Sequence, residues 1–272
     1  MKNNLPRISI VTPSFNQAPF LEETLRSILD QGYPDLETLV LDGGSTDGSV
    51  EILRRYSPQL SYWRSEKDSG QSAALREGFA RATGEVFAWL NSDDYYEPGA
   101  LRAVGEAFAN NPQADIVVGD LRFVDVHGKR LYLGHLVPSL KIIAYESSFP
   151  AQQSLFWRRS IYQEAGGIDA SYQFAMDLDL LVRMMLAGAR FVKLRQTLAN
   201  FRQHEGAKSS RLQEVCAVEV RRTLEKHGLV SGGPIERKLK RWVYRGLRFA
   251  RDPRCIAGAA ERIWRGVPTL EG

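Results

Sequence analysis

EVFAWLNSDD, residues 85–94, is the stretch from which the architecture is read. Glu85–Leu90 is almost wholly apolar and stops abruptly at Asn91-Ser92-Asp93-Asp94. A short apolar run of this kind suits a strand buried on both faces of a parallel sheet. Working back toward the N-terminus, the same pattern recurs. Leu60–Trp63 runs into Glu66-Lys67-Asp68-Ser69-Gly70, Leu39–Leu41 into Asp42-Gly43-Gly44, and Ile8–Val11 into Thr12-Pro13-Ser14-Phe15-Asn16. Helical spacing fills the intervals. Phe20, Leu21, Leu25, Ile28 and Leu29 form one set, Ser45–Tyr56 another with Ser45 or Thr46 expected as its cap, and Ser72–Ala82 a third. Repeated strand–helix units imply an α/β fold: a mostly parallel, open sheet with helices on both faces.

Further along, the texture changes. Asp115–Val126 and Lys129–Leu133, separated by His127-Gly128, read as an antiparallel pair. Gln153–Trp157 and Arg190–Phe201 read as strands around a helix at Asp177–Ala187. Ala207–His227 is helical in pattern, and Gly232-Gly233-Pro234 breaks it from a basic tail. No internal repeat or low-complexity tract interrupts this order.

The 272 residues are 43% hydrophobic and 25% charged, which fits a globular chain and argues against wholesale disorder. Two cysteines, Cys216 and Cys255, exclude a disulfide framework and a Cys/His zinc pattern. Without a signal-like start or a long apolar run, a cytoplasmic location is the expectation. The net charge of +4 is unevenly spread. Residues 234–265 hold ten Lys/Arg against three acids, a local +7, and the remainder stands at −3. An anionic partner is therefore expected for the tail alone, and nucleic acid is not expected as a partner of the chain.

Ligands of open parallel sheets bind at the carboxyl ends of the strands. Three of the four strand ends here carry acids. The turn after the first strand lacks the glycines of a dinucleotide fingerprint, and no GxxxxGK[ST] occurs, so neither a Rossmann cofactor site nor a P-loop is present. Acidic strand ends suit a nucleotide held by base and ribose, its diphosphate neutralised by Mg²⁺ or Mn²⁺. Asn91-x-Asp93 has the spacing to present oxygen ligands on one face. Taken singly, Asp47 and Asp68 read equally well as helix caps; it is their gathering on one rim that points to a site.

These segments resemble, in order and spacing, the N-terminal half of a family 2 glycosyltransferase of the GT-A fold: ISIVTPSFN (8–16), LVLDGGSTDGS (39–49), SEKDSGQSAALREGFARATGE (65–85) and WLNSDD (89–94). FWRRSIYQEAGGIDASYQFAMDLDLLVRM (156–184) and FRQHEGAKS (201–209) continue the likeness, which covers about residues 7–210. The resemblance implies an inverting enzyme of the bacterial surface-glycan type, using a nucleoside-diphosphate sugar, a divalent metal and a glycan or lipid-linked acceptor. It implies a nucleotide-sugar-binding half at 1–125, an acceptor and catalytic half at 126–210, and a helical, basic extension at 211–272. Thr12, Pro13 and Asn16 are then expected near the nucleoside, and Asp42 and Asp68 on base and ribose. Asn91-Ser92-Asp93 falls on the family's D-x-D, with Asp93 facing the metal; His204 resembles the family's C-terminal metal ligand, and Asp94 is expected at the donor sugar. Asn91 replaces the first Asp of D-x-D, and Gly43 stands where many relatives have a second Asp.

Sugar transfer with inversion needs a base for the acceptor hydroxyl and stabilisation of a departing diphosphate. Asp177 and Asp179 are the candidate bases. At i and i+2 they diverge by about 200° on a helix and cannot share one task. The family resemblance puts the base at Asp177, while Asp179 is expected to pair with Arg183. Met176 stands where Glu is common. Trp63, Trp89 and Trp157 are read as core residues, and His127, His135 and His227 as incidental.

Two other readings compete. A sugar-phosphate nucleotidyltransferase would want a Gly-rich basic loop after the first strand, and a non-catalytic nucleotide- or glycan-binding module would not need Asp93 and Asp177 together. In the tail, Ile235, Leu239, Trp242, Val243, Gly246, Leu247 and Ala250 share one helical face with basic flanks. Such a helix either lies on an anionic membrane, making the enzyme peripheral on its inner face, or packs its stripe against the domain.

Overall fold

The computed structural model describes residues 5–135, 137–146, 152–208 and 212–267. Residues 209–211 of the 207–227 helical pattern, Ser209 of the FRQHEGAKS motif, and residues 268–272 of the tail lie outside them.

Among the described residues a nine-stranded sheet runs in the order β3-β2-β1-β4-β8-β6-β9-β5, with β7 also on β6. Its first part is parallel: β1 (Ile8–Ser14), β2 (Leu36–Asp42), β3 (Tyr62–Ser65) and β4 (Val86–Trp89). Strand β8 (Leu155–Arg158) enters antiparallel between β4 and β6 (Ile116–Val124). Beyond it, β9 (Phe191–Arg202) runs parallel to β6 and carries the two-residue β5 (Tyr95–Tyr96) on its outer edge. Strand β7 (Arg130–Gly134) is the antiparallel partner of β6 expected from the His127-Gly128 turn. The two sequence halves thus share one sheet.

Every residue of β1 is buried, as a central strand covered on both sides requires. Ile8 and Ile10 point into a core with Val104 and Phe108 of α4 (Ala100–Asn110). Val11 points the other way, toward Leu75 and Phe79 of α3 (Gln71–Arg81) and Leu181 of α7 (Met176–Leu186). Helix α3 lies close on the sheet because Gly78 has no Cβ; one there would overlap Val11. Helices α1 (Ala18–Leu29) and α2 (Ser49–Tyr56) form a third cluster around Val40. Trp89 and Trp157 meet edge to face at 5.6 Å in the core, as their apolar setting implied.

The start of α2 differs from expectation. Neither Ser45 nor Thr46 caps it; the helix begins after left-handed Gly48 (φ 99°), with Asp47 Oδ1 accepting the Ser49 amide at 3.1 Å. Ser45 is used instead by Asp42.

Short helices α5 (Leu140–Glu146) and α6 (Arg159–Glu164) flank β8 in sequence. The chain then passes from α7 and β9 to α8 (Gln213–Lys226), α9 (Pro234–Arg251) and α10 (Arg254–Trp264), the helical extension.

Candidate active site

Register brings the polar strand ends into one row. Ser14 pairs with Asp42 and Asp42 with Ser65, while β4 lies on the other side of β1. Asp42 sits fully buried at the centre of this rim. Its carboxylate accepts the Gly44 and Ser45 amides at 3.1 and 2.8 Å and the Ser45 and Ser65 hydroxyls at 2.6 Å each. Four donors turn it inward, so Asp42 shapes the 43–45 loop. Asn16, held in a left-handed conformation (φ 51°), clamps the same loop: its amide donates to Ser45 Oγ and its Oδ1 accepts from Thr46 N. Thr12 and Pro13 are buried beneath it.

The open surface at this end belongs to Phe15, with Gly43 buried and Asp68 half-buried beside it. Phe15 is 59% exposed, an unusual position for a large aromatic ring. A Cβ on Gly43 would lie 3.3 Å from that ring and 3.4 Å from Asp68 Oδ1, so an aspartate here would press on Phe15 and meet Asp68. Asp68 accepts the Gly70 amide at 2.8 Å and lies 3.6 Å from the Arg64 guanidinium.

The second cluster follows β4. Asp93 Oδ2 and His204 Nε2 stand 3.1 Å apart, and the His204 ring packs on Phe20 at 4.8 Å. Asn91 Oδ1 accepts from Gln71 Nε2, and its Nδ2 donates to Asp94. Ser92 is buried. Asp94, only 1% exposed, accepts from Gln153 Nε2 at 2.7 Å and Arg202 N at 2.9 Å. Burial, then the charge of Asp93, pushes its carboxyl well above the usual range. Its bonds to Gln153 and Arg202 fix the Asp93 turn against β9.

Arg202 braces this cluster from β9. Its guanidinium donates to the Asp93 and Val126 carbonyls, pairs with Glu23 at 2.5 Å, and lies over the rings of Phe20 and Tyr95. Among the described residues no three His, Cys, Asp or Glu side chains converge as a complete metal cage. Asp93 and His204 fit a different design, a hard cation held by two protein groups with its remaining positions left to phosphate oxygens.

Asp177 occupies the first turn of α7, half-buried, with Oδ1 accepting the Leu178 amide at 2.8 Å. Burial above all pushes its carboxyl up to about 6; Lys208 opposes the rise and Glu219 adds to it. Asp179 is fully buried, 2.7 Å from Arg183, 3.4 Å from Lys226 and 3.5 Å from His227. Asp177 and Asp179 therefore face different surroundings, as their spacing required.

Three residues not singled out from the sequence complete the site. Lys208 Nζ donates to Gln71 Oε1 at 2.7 Å, and Gln71 in turn donates to Asn91, so a cation links the surroundings of Asp177 to the Asp93 cluster. Burial brings this ammonium down to about 8. Glu219, reaching over from α8, accepts the amides of Gln173, Phe174 and Ala175 at 2.7, 2.8 and 2.9 Å. It thereby anchors the entry to α7, and it supplies the carboxylate near Asp177 that Met176 does not. Phe15 is the third; an aromatic beside Asn16 at a strand end was the available signal for it.

The model of glycosyl transferase family 2 matches residues 9–169. The chain belongs to glycosyl transferase family 2. This glycosyltransferase is 32% identical over 186 residues to an uncharacterized glycosyltransferase of Mycobacterium tuberculosis, covering 66% of this chain and 70% of the relative. It is 36% identical over 104 residues to the putative teichuronic acid biosynthesis glycosyltransferase TuaG of Bacillus subtilis, covering 37% and 41%. Its fold is similar to that of the mannosyltransferase PcManGT from Pyrobaculum calidifontis, solved with GDP-Man and Mn²⁺. That match has a TM-score of 0.63 at 20% identity over 97% of this chain and 76% of the other. S. aureus TarS 1–349, solved with UDP-GlcNAc, gives 0.59 at 18% identity over 90% and 73%. Membership of the family disposes of the nucleotidyltransferase and binding-module readings. Asp177, His204, Lys208 and Glu219 all lie beyond the residues the family model matches.

Proposed function

We propose that this glycosyltransferase moves a sugar, with inversion, from a nucleoside-diphosphate donor to a hydroxyl of a glycan or lipid-linked acceptor. The observation that carries the reading is the division of the site: a carboxyl near 6 at the head of α7, and the Asp93–His204 pair across the Lys208–Gln71–Asn91 chain. In the proposed step Asp177 takes the acceptor hydroxyl's proton while the oxygen bonds to the anomeric carbon. The bond from that carbon to the diphosphate breaks, and the nucleoside diphosphate leaves with the electron pair. A base of pKa about 6 is ionised near neutrality yet strong enough to accept a proton as the bond forms. The Lys208 ammonium offers charge to the departing phosphates where Asn91 brings none. Asp179, sealed against Arg183, is unavailable as a second carboxylate, which favours a single displacement over a covalent intermediate.

Asp93 and His204 would hold a divalent cation, Mg²⁺ or Mn²⁺. When bound it supplies Lewis-acid neutralisation of the diphosphate. At the nucleoside end, Phe15 offers a face for the base and Asp68 a carboxylate for base or ribose. Thr12, Pro13, Asn16 and Asp42 set the backbone beneath them, and Ser92 and Asp94 set the Asp93 turn. A lipid-linked acceptor would bring the enzyme, expected in the cytoplasm, to the inner face of the cell membrane. Among the described residues no helix is long and apolar enough to cross it.

Incubation with a panel of nucleotide sugars, with Mg²⁺ or Mn²⁺, tests the reading. Release of nucleoside diphosphate from at least one donor, lost in Asp177→Asn when acceptor is supplied, is the expected result. Failure with every donor overturns it.

A further inference from the structure

Helices α9 and α10 are packed with their faces reversed. In α9, Ile235, Leu239, Trp242, Val243 and Leu247 point to solvent, Ile235 at 87% and Trp242 at 63% exposure. The opposite, basic face meets the domain. Arg245 and Arg248 pair with buried Glu146 of α5 at 3.2 and 3.1 Å, and Tyr244 stacks on Tyr145 with ring centroids 5.3 Å apart. Helix α10 repeats the arrangement. Arg254 pairs with Asp120 at 2.6 Å, Glu261 with Arg130 at 2.6 Å, and Gly258 lies so near the Leu133 carbonyl that a Cβ would overlap it. Its own apolar residues Ile256, Ile263 and Trp264 face outward, Trp264 at 82%.

An amphipathic helix ordinarily buries its apolar stripe. Here ion pairs to acids of the domain fix the reverse orientation on two successive helices, so the outward stripes are a constructed surface. We propose that α9 and α10 dock this glycosyltransferase on an anionic lipid bilayer, lying in its plane with both stripes in the acyl boundary. The cations that the two helices leave exposed fit that occupant: Arg237, Lys238, Arg241, Arg251 and Arg265 complement a negative leaflet. The same charge sets two copies of the face against each other, which disfavours self-association through it. Nucleic acid is ill-suited, because it offers the outward apolar stripes no hydrocarbon in which to bury. Cations lie against the outward tryptophans, Arg245 5.5 Å from the Trp242 ring and Arg265 5.7 Å from that of Trp264. Such pairs suit the level where headgroups meet acyl chains. None of this depends on the chemistry proposed at Asp177.

Flotation of the full chain with vesicles of phosphatidylcholine, with and without phosphatidylglycerol, tests the proposal. The expected result is binding that needs phosphatidylglycerol and weakens with salt, accompanied by a blue shift of tryptophan fluorescence. Trp242→Ser with Trp264→Ser should weaken binding roughly tenfold or more by removing buried apolar area. Lys238→Gln should weaken it roughly fivefold at low salt. Melting temperature and nucleoside-diphosphate binding should stay unchanged in both, since these exposed residues lie outside the catalytic site. Indifference of the intact chain to anionic vesicles overturns the proposal, as does binding that ignores lipid charge and salt. Self-association without vesicle binding, abolished by Trp242→Ser, would assign the surface to a second copy instead.

Discussion

Replacing Glu219 with glutamine and, separately, Lys208 with methionine should move the pH dependence of sugar transfer in opposite directions. A general base works deprotonated, so activity is full above its pKa and falls as pH drops through it. With Asp177 at about 6, the ionised fraction at pH 5 is about a tenth, whereas an ordinary aspartate would remain more than about nine-tenths ionised there. Glu219 raises the Asp177 pKa by its charge, so Glu219→Gln should carry the acid limb below 6. Lys208 lowers it, and Lys208→Met should carry the limb above 6. Glu219→Gln also gives up charge-assisted bonds to three amides at the entry to α7, at a cost of about 1.5–3 kcal/mol in stability. Melting curves across the pH range must therefore accompany kcat/KM, measured by nucleoside-diphosphate release from the donor found in the panel. An acid limb near 4 in the wild type, or shifts of the same sign in the two variants, would refute the reasoning.

Asp177→Asn should abolish transfer and leave donor affinity, measured by calorimetry, nearly unchanged, because the base acts on the acceptor. Asp93→Ala and His204→Ala should each weaken nucleoside-diphosphate binding in Mn²⁺ far more than in its absence; equal losses under both conditions would count against a shared cation. Asp179→Asn leaves Arg183 partly buried without its partner and should cost about 3–5 kcal/mol in urea denaturation, with no change in the acid limb. Phe15→Ala, at an exposed ring, should leave the melting temperature in place and loosen donor binding about three- to tenfold, the worth of one aromatic contact.

The parallel part of the sheet was legible because its strands are continuous apolar runs and each ends at a visible polar stop. Strand β5, two residues long, carries no periodicity; it exists because β9 passes alongside it about a hundred residues later. Helix α4 does repeat Leu101, Val104 and Phe108 at helical spacing, but it begins after left-handed Gly99 with no side-chain cap to mark its start. In the site, Asp93 was readable from a strand end, and Asp177 and His204 from the family resemblance. Which acids remain open was not. Asp42 and Asp68 follow neighbouring strands, yet four donors enclose Asp42, while half-buried Asp68 accepts one backbone amide and faces Arg64. Lys208 and Glu219 escaped notice because each acts through a partner distant in sequence. The tail's stripe was plain as a helical face, but its outward direction rests on Glu146, Asp120 and Arg130, which no local pattern reveals.

Arg202 has a consequence for how the enzyme is made. Its bond to Glu23 joins residues 179 positions apart, and its other contacts hold the Asp93 turn and the Val126 carbonyl. A chain emerging from the ribosome can lay down β1 to β4 early, since these four strands, consecutive in sequence, form one contiguous block of the sheet. The turn bearing Asp93 stays without its Arg202 brace until β9 has been synthesised and has crossed to the far side of β6, a closure whose entropy is spent late. Competence to hold a donor should therefore arrive in one step once β9 has emerged, and a stalled nascent chain ending before residue 202 should carry the strands without the grip.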